Sequence, residues 1–335
     1  MRRVDPRSPG IRRRRRGRGF SYVGADGAAV GDADLARIDA LVIPPAWRRV
    51  WICADPAGHI QAVGYDAAGR RQYLYHEDWR RDRDEEKHQR VRDLSERLPA
   101  FRAAVTRDLR GRGATRRRIL AAALRIVDLG VFRSGGEEYT EDNGSYGLAT
   151  LLRGHVRMLG DRLTFRYPAK SGVEREVVVD DARLGDVVRA MRRSPGERFL
   201  AYRDDEGWHD VRAADVNERF KDLVGDEYTV KDLRTWHATV TAARAFADTD
   251  ATEASVMRAV ADELGNTPAV ARDAYVDPRV IEAFEEGRTV SRRAGDAEVR
   301  ALLDGPRLSP SRPREAWGRV ARIPGQVAQL VRALA

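Results

Sequence analysis

Lysine is nearly missing from this chain. Of its 61 cationic side chains only Lys87, Lys170, Lys221 and Lys231 are lysines, and the rest are arginines. Arginine is therefore the default cation, as a GC-rich coding bias would produce. A lysine kept against that background is informative, because lysine can give up a proton and arginine in practice cannot. Cysteine is reduced to Cys53, so no internal disulfide can form. The six histidines are scattered, and no Cys/His group has metal-ligand spacing. No apolar run reaches the roughly 18 residues of a membrane span, and no apolar signal segment opens the chain. There is no P-loop and no dinucleotide fingerprint, and no Asp/Glu cluster in a metal-binding pattern. These absences predict a chain working in a reducing, cytosolic setting, with a site that uses neither metal nor nucleotide and needs no cofactor.

What is present is positive charge. The 335 residues suffice for two domains, and a hydrophobic content of 42% allows a sizeable core. Charged residues make up 34%, the net charge is +9, and the pI is near 10.0. Such a balance favours a polyanionic partner, nucleic acid first of all.

Taken in order, residues 1–19, with Arg12 to Arg16 followed by Gly-Arg-Gly, read as a disordered basic arm. Residues 20–81 read as strand-rich. Asp32 to Leu41 fits a short helix. Val50 to Cys53 and Ile60 to Tyr65 fit strands, joined by the turn-forming Asp55-Pro56-Ala57-Gly58. In Gly69 to His76, period-two alternation puts Gln72 and Leu74 on one face and Tyr73 and Tyr75 on the other. Interleaved basic and aromatic residues of this kind suit a nucleic-acid surface. The fully charged Asp82-Arg83-Asp84-Glu85-Glu86 reads as a link to a second domain, 82–305, in which helices dominate. Apolar spacings of three and four support helices over 86–110 and 115–130, and 181–193, 212–224, 229–248 and 252–264 read as helices too. Leu163 to Tyr167 and Arg175 to Val179 form a hairpin with Lys170 near its tip. After 305, Pro306, Pro310 and Pro313 mark a linker into a C-terminal tail, 306–335, whose end is amphipathic. The fold class is α+β, a small strand-rich domain followed by a larger, mainly helical one.

The chain is organised around residues 265–278. Gly265 ends a helix, Thr267 supplies an N-cap, and Pro268 takes the first helical position. Tyr275 follows eight residues after Thr267, and Pro278 stops the run. A tyrosine on a short, exposed helix, led by Asn266, has the chemistry of a covalent nucleophile for phosphate. Arg133 at a helix entrance, Lys170 and Arg234 are the other candidates.

Five motifs in this order resemble the type IB DNA topoisomerases, in their small bacterial and poxvirus-like branch. They are Gly-Arg-Arg-Gln-Tyr-Leu-Tyr at 69–75, Phe-Arg-Ser-Gly-Gly-Glu-Glu-Tyr at 132–139, Asn-Gly-Ser-Tyr-Gly-Leu-Ala-Thr-Leu at 143–151, Lys-Asp-Leu-Arg-Thr-Trp-His at 231–237, and Asn-Thr-Pro-Ala-Val-Ala-Arg-Asp-Ala-Tyr at 266–275. The resemblance covers roughly residues 20–290. It departs from the wider family at Asn266, often a histidine, and at Gly136, where asparagine is common. It implies a catalytic domain of the tyrosine recombinase and topoisomerase IB type over 82–305, with 20–81 as a clamp on the other side of double-stranded DNA. It implies that Tyr275 attacks a phosphodiester to give a 3′-phosphotyrosyl link and a free 5′-hydroxyl. Arg133, Arg234 and Asn266 would stabilise the non-bridging oxygens, Lys170 would protonate the leaving oxygen, and Lys231 would assist at the phosphate. Gln72, Tyr73, Tyr75 and Tyr139 would contact DNA. A monomer around duplex DNA, relaxing supercoils at the bacterial nucleoid without ATP, is the implied whole. A tyrosine recombinase or integrase uses the same nucleophile, but usually carries histidine where Lys231 stands. A non-catalytic DNA-binding protein would explain the charge and leave the Arg133, Lys170, Arg234 and Tyr275 pattern without a role.

Overall fold

The computed structural model describes residues 1–130, 132–133, 135, 145–169 and 172–305. Of the residues singled out above, Tyr139, Gly136, Lys170 and the tail 306–335 lie outside them. The first part is a five-stranded antiparallel sheet in the order β2-β1-β3-β4-β5. Its strands are β1 (Ile11–Arg16), β2 (Gly19–Val23), β3 (Arg48–Ile52), β4 (Ile60–Tyr65) and β5 (Arg71–Tyr75), with helix α1 (Asp32–Ala40) between β2 and β3. Ile11, Ile38, Val50, Ile52 and Ala62 meet in a small core of their own.

The arm expected over residues 1–19 is instead built into this sheet. Arg12 to Arg16 pair with β2, and Ile11 pairs with Ile52 of β3. The cause is local. Ile11 has a core to enter, and Arg13 points inward, donating to the carbonyls of Ile43, Pro44 and Trp47 at 3.2, 3.1 and 2.6 Å. A guanidinium with that many acceptors is no longer a solvated charge, so a run of arginines becomes a strand. Even Arg2 is pinned by backbone hydrogen bonds to Ala57 and His59.

The charged run at 82–86 differs from its expectation too. It lies inside α2 (Glu77–Leu109), a continuous helix of 33 residues that begins two residues after β5. His76 caps it by accepting from the Asp78 amide at 3.1 Å, and Glu77 and Asp78 suit its positive end. Charges at 82–86 are compatible with helix because Arg83–Glu86 and Asp84–Lys87 pair across one turn. Further along, Val91, Leu94, Leu98, Phe101 and Val105 form a buried stripe at spacings of three and four.

That stripe enters the larger core. It is shared by α3 (Arg116–Gly130), a three-stranded antiparallel sheet β6 (Val156–Leu159), β7 (Arg162–Pro168) and β8 (Glu174–Asp180), and helices α4 (Ala182–Met191), α5 (Ala213–Val224) and α6 (Val230–Ala245). A hairpin of β9 (Ala201–Asp204) and β10 (Gly207–Asp210) stands between α4 and α5. Then come α7 (Glu253–Leu264), α8 (Pro268–Ala274), α9 (Pro278–Glu285) and α10 (Asp296–Leu303). Helix α6 is fixed by a buried polar network. Asp128 of α3 accepts from Arg102 of α2 at 2.8 Å and contacts His237 Nε2 at 3.1 Å, while Trp236 donates to Asp296 at 2.7 Å and Arg102 reaches the same Asp296. Burial would raise the Asp128 carboxyl, but His237 and Arg102 hold it well below the usual carboxylate range.

Helix α2 also meets the chain on both sides of Tyr275. Lys87 donates to the Ala274 carbonyl at 3.4 Å, and His88 Nδ1 lies 3.9 Å from Asp277. Burial pushes His88 down from 6.5 to about 4, helped by Lys87 and Arg279 and opposed by Asp277 and Asp84. The folded protein therefore resists protonating His88, and the unfolded chain does not. Stability should fall as pH drops from about 6.5 to about 4, at up to roughly 1.4 kcal/mol per pH unit from this group. The buried carboxylate Asp128 loses its contribution only at lower pH, so the window is separable. Denaturant unfolding across that window should show the decline, and His88→Gln should remove most of it. His155, also shifted down by burial, supplies a remainder.

Candidate active site

The residues around Tyr275 are placed by two proline-led helices. α7 ends at Gly265, whose φ of +61° is left-handed, and the Asn266 amide returns to the Ala261 carbonyl at 2.9 Å. Thr267 then caps α8 by accepting from the Val270 amide at 3.3 Å, with Pro268 in the first position. Tyr275 is the residue at which α8 stops. Pro278 ends nothing further but opens α9, capped by Asp277. α8 is as exposed as expected, with only Ala271 of its residues buried, but Tyr275 is turned inward and is 8% exposed.

Arg133 arrives from the other side. Phe132 just before it is fully buried, edge-on to Phe165 at 4.9 Å and stacked on Tyr167 at 5.8 Å. The Arg133 carbonyl accepts from the Leu148 amide at 2.9 Å. Gly147 and Gly135 cross so closely that a Cβ on Gly147 would lie 2.4 Å from the Gly135 backbone. Two motifs of the sequence thus touch through their glycines, and that contact fixes where Arg133 emerges.

Arg133, Arg234, Asn266 and Tyr275 converge. Arg133 donates to Asn266 Oδ1, and Arg234, 3% exposed, donates to the Leu264 carbonyl with its guanidinium 5.6 Å from the centre of the Tyr275 ring. Engaging Oδ1 leaves the Asn266 amide Nδ2 buried without a hydrogen-bond partner. An unmet buried donor costs about 1–3 kcal/mol, and such a donor beside two guanidiniums fits an anionic oxygen. Lys231, exposed one turn before Arg234 on α6, contributes its charge to the same pocket.

The field has opposite consequences for two tyrosines. Burial alone would raise Tyr275, but Arg234 and Arg133, a hydrogen bond with Arg234, and Lys231 together hold its phenol below 10.0. Tyr167 feels Arg175, Arg234 and Arg133 too, yet burial prevails and pushes it up. Arg234 itself is lowered by burial and by the nearby Arg133 and Arg175, and it stays cationic at neutral pH.

The expected DNA-facing residues separate. Tyr73 and Tyr75 lie exposed on one face of β5, stacked at 5.9 Å, with Arg71 5.2 Å from the Tyr73 ring centre. Gln72 is on the other face and donates to Asp66 at 3.0 Å. Sequence reasoning missed Arg175, whose guanidinium lies beside this pocket. One signal was available: on β8 it occupies the inward face with Val177 and Val179, where a charge has no business unless something holds it.

The Tyr275 phenol, Arg133, Arg234 and the unmet Asn266 amide donor thus share one positively charged pocket. The family model for the bacterial DNA topoisomerase IB N-terminal domain matches residues 19–66, and that for the eukaryotic DNA topoisomerase I catalytic core matches residues 76–274. The DNA topoisomerase 1B of Acanthamoeba polyphaga mimivirus is 29% identical over 294 residues, covering 82% of this chain and 88% of that protein. The DNA topoisomerase 1B of Vaccinia virus (strain Copenhagen) is 23% identical over 231 residues, covering 67% and 72%. A XerH site-specific recombinase bound to palindromic difH substrate aligns with a TM-score of 0.39 at 15% identity, over 56% of this chain and 49% of that one. The chain belongs to the type IB DNA topoisomerases. It is an isomerase that acts on DNA. Among the described residues no helix is long and apolar enough to cross a membrane.

The pocket's electrostatics can be read directly. In ultraviolet difference titration of the unmodified protein against Tyr275→Phe, Tyr275 should ionise below pH 10. Lys231→Ala should move that midpoint upward, because it removes one of the cations that favour the phenolate.

Proposed function

We propose that Tyr275 is the nucleophile with which this topoisomerase opens one DNA strand. The observation that carries this reading is the convergence of Arg133, Arg234 and Asn266 on Tyr275, whose phenol the two arginines make more acidic while the neighbouring Tyr167 shifts the other way. The Tyr275 oxygen attacks the phosphorus, a new oxygen–phosphorus bond forms, and the bond to the 5′-oxygen breaks. A 3′-phosphotyrosyl link and a 5′-hydroxyl result. The positive field eases loss of the phenol proton.

As the transition state forms, charge spreads over the non-bridging oxygens. Arg133 and Arg234 offer paired N–H donors there, and the unmet Asn266 Nδ2 offers a neutral one. One preorganised donor of this sort contributes about 10²–10³ in rate. The departing 5′-alkoxide needs a proton, and Lys170, between β7 and β8 in sequence, is the group assigned to give it. While the strand is open, its free end turns about the intact strand; reversal of the attack reseals it. The bond energy is conserved throughout, so the cycle as drawn draws on neither ATP nor metal. The chain acts as a monomer around duplex DNA at the bacterial nucleoid. The exposed Tyr73, Tyr75 and Arg71 face of the sheet grips the duplex opposite the pocket, and Gln72 supports that strand from behind. Tyr139 belongs to the DNA-contacting set by resemblance alone.

Supercoiled plasmid incubated in EDTA without ATP should be relaxed. Tyr275→Phe should abolish relaxation and keep duplex binding; undiminished relaxation by this variant ends the reading. Lys170→Ala should slow cleavage of ordinary DNA by roughly 10²–10⁴-fold. With sulfur in place of the bridging 5′-oxygen the leaving thiolate needs no proton, since a thiol pKa is about 8.5, and the variant should then cleave nearly as fast as the unmodified protein. Equal slowness on both substrates would reduce Lys170 to a DNA-positioning residue.

A further inference from the structure

Arg175 is tied to three parts of the chain at once. From β8 it donates to the carbonyls of Glu263 at 2.7 Å and Leu264 at 3.1 Å, the last two residues of α7, and to that of Gly130 at 3.3 Å, the last residue of α3. Its stem also lies against Gly265, where a Cβ would sit 3.5 Å from Arg175 Cδ. Each anchored strand of chain leads at once to a group of the pocket. Gly130 is three residues before Arg133, Leu264 two before Asn266, and Arg175 itself five after Lys170.

The Leu264 carbonyl has a second donor. Arg234 uses the same oxygen. To bind a phosphate oxygen with that N–H, Arg234 must release Leu264. A buried carbonyl left without a donor costs about 1–3 kcal/mol, enough to hold Arg234 back. Arg175 stays on that oxygen and removes the penalty.

We propose that Arg175 is a positioning residue for strand cleavage, which fastens the backbone around Arg133 and Asn266 and keeps the Leu264 carbonyl satisfied when Arg234 turns to the DNA phosphate. It touches no reacting atom in this scheme. The planar fork of arginine is required, because a lysine offers a point charge and cannot serve three carbonyls in a fixed arrangement. The inference rests on the reading of Tyr275 as nucleophile.

The test measures two quantities on supercoiled plasmid: the rate at which protein becomes covalently attached at saturating DNA, trapped by detergent, and the Kd for the same plasmid. Arg175→Ala should slow attachment about 10²-fold, the loss expected when reacting groups shift by about 1 Å, with Kd nearly unchanged. Arg175→Lys should fall between the two rates, and it serves alone if the alanine variant does not fold. An attachment rate within roughly threefold of the unmodified protein in either variant overturns the inference, and so does a Kd that weakens in step with the rate. Tyr275→Phe run alongside keeps the two readings apart. If it still attaches, the nucleophile is wrong; if it does not and the Arg175 variants are normal, only the positioning role falls.

Discussion

Positive charge held on neutral acceptors is the constraint from which the rest of this structure follows. Arg133 donates to an amide oxygen, Arg175 to three carbonyls, and Arg234 to one of those same carbonyls. A buried guanidinium must have acceptors, and a carboxylate would cancel the charge that a phosphate requires. The C-terminus of a helix solves this, because its last carbonyls are unused and carry the negative end of the macrodipole. Hence α7 has to stop where it does, and Gly265 has to take the left-handed turn that exposes Glu263 and Leu264 to the two arginines. Tyr275, one short helix later, then falls inside the field rather than at its edge.

The same requirement explains the scaffolding. Arg234 can be buried only if α6 does not move, and α6 is bound to α2, α3 and α10 through Asp128, His237, Arg102 and Asp296. Helix α2 extends that frame outward. It starts two residues after the exposed Tyr73 and Tyr75 strand and touches Ala274 and Asp277 with Lys87 and His88. At about 1.5 Å per residue, its 33 residues span roughly 50 Å. The first turns of this one helix therefore join the strand that bears Tyr73 and Tyr75 to the chain on both sides of Tyr275.

Much of this is legible in the sequence alone. The capping signals at Gly265, Thr267 and Pro268 predicted the α7–α8 junction, and five motifs in order carried the family. Local rules suffice there, since caps, turns and alternation act within a few residues. The first nineteen residues were misread because charge composition predicts solvation, whereas Arg13 finds three carbonyls from a loop some thirty residues away. The charged run at 82–86 was misread as a link because its pairing at i,i+3, which supports helix, looks the same as a solvated charge run. Arg175 went unnoticed because only its inward place on β8 marks it in the sequence, and its partners are backbone oxygens, which residue types do not reveal.

The sequence by itself determined the family, through motifs in order, and the junction of α7 and α8 ahead of Tyr275, through caps and turns that act within a few residues; it also named Tyr275, Arg133, Arg234 and Asn266 as candidates. Only the tertiary structure decided that the Tyr275 phenol is buried and made more acidic while Tyr167 is made less so. It also decided that Arg234 and Arg175 share one carbonyl. Those outcomes are set by the balance of desolvation against charges from Arg133 just after α3, from β8 and from α6, held on carbonyls at the end of α7, and distances between such remote segments exist only once the chain has folded.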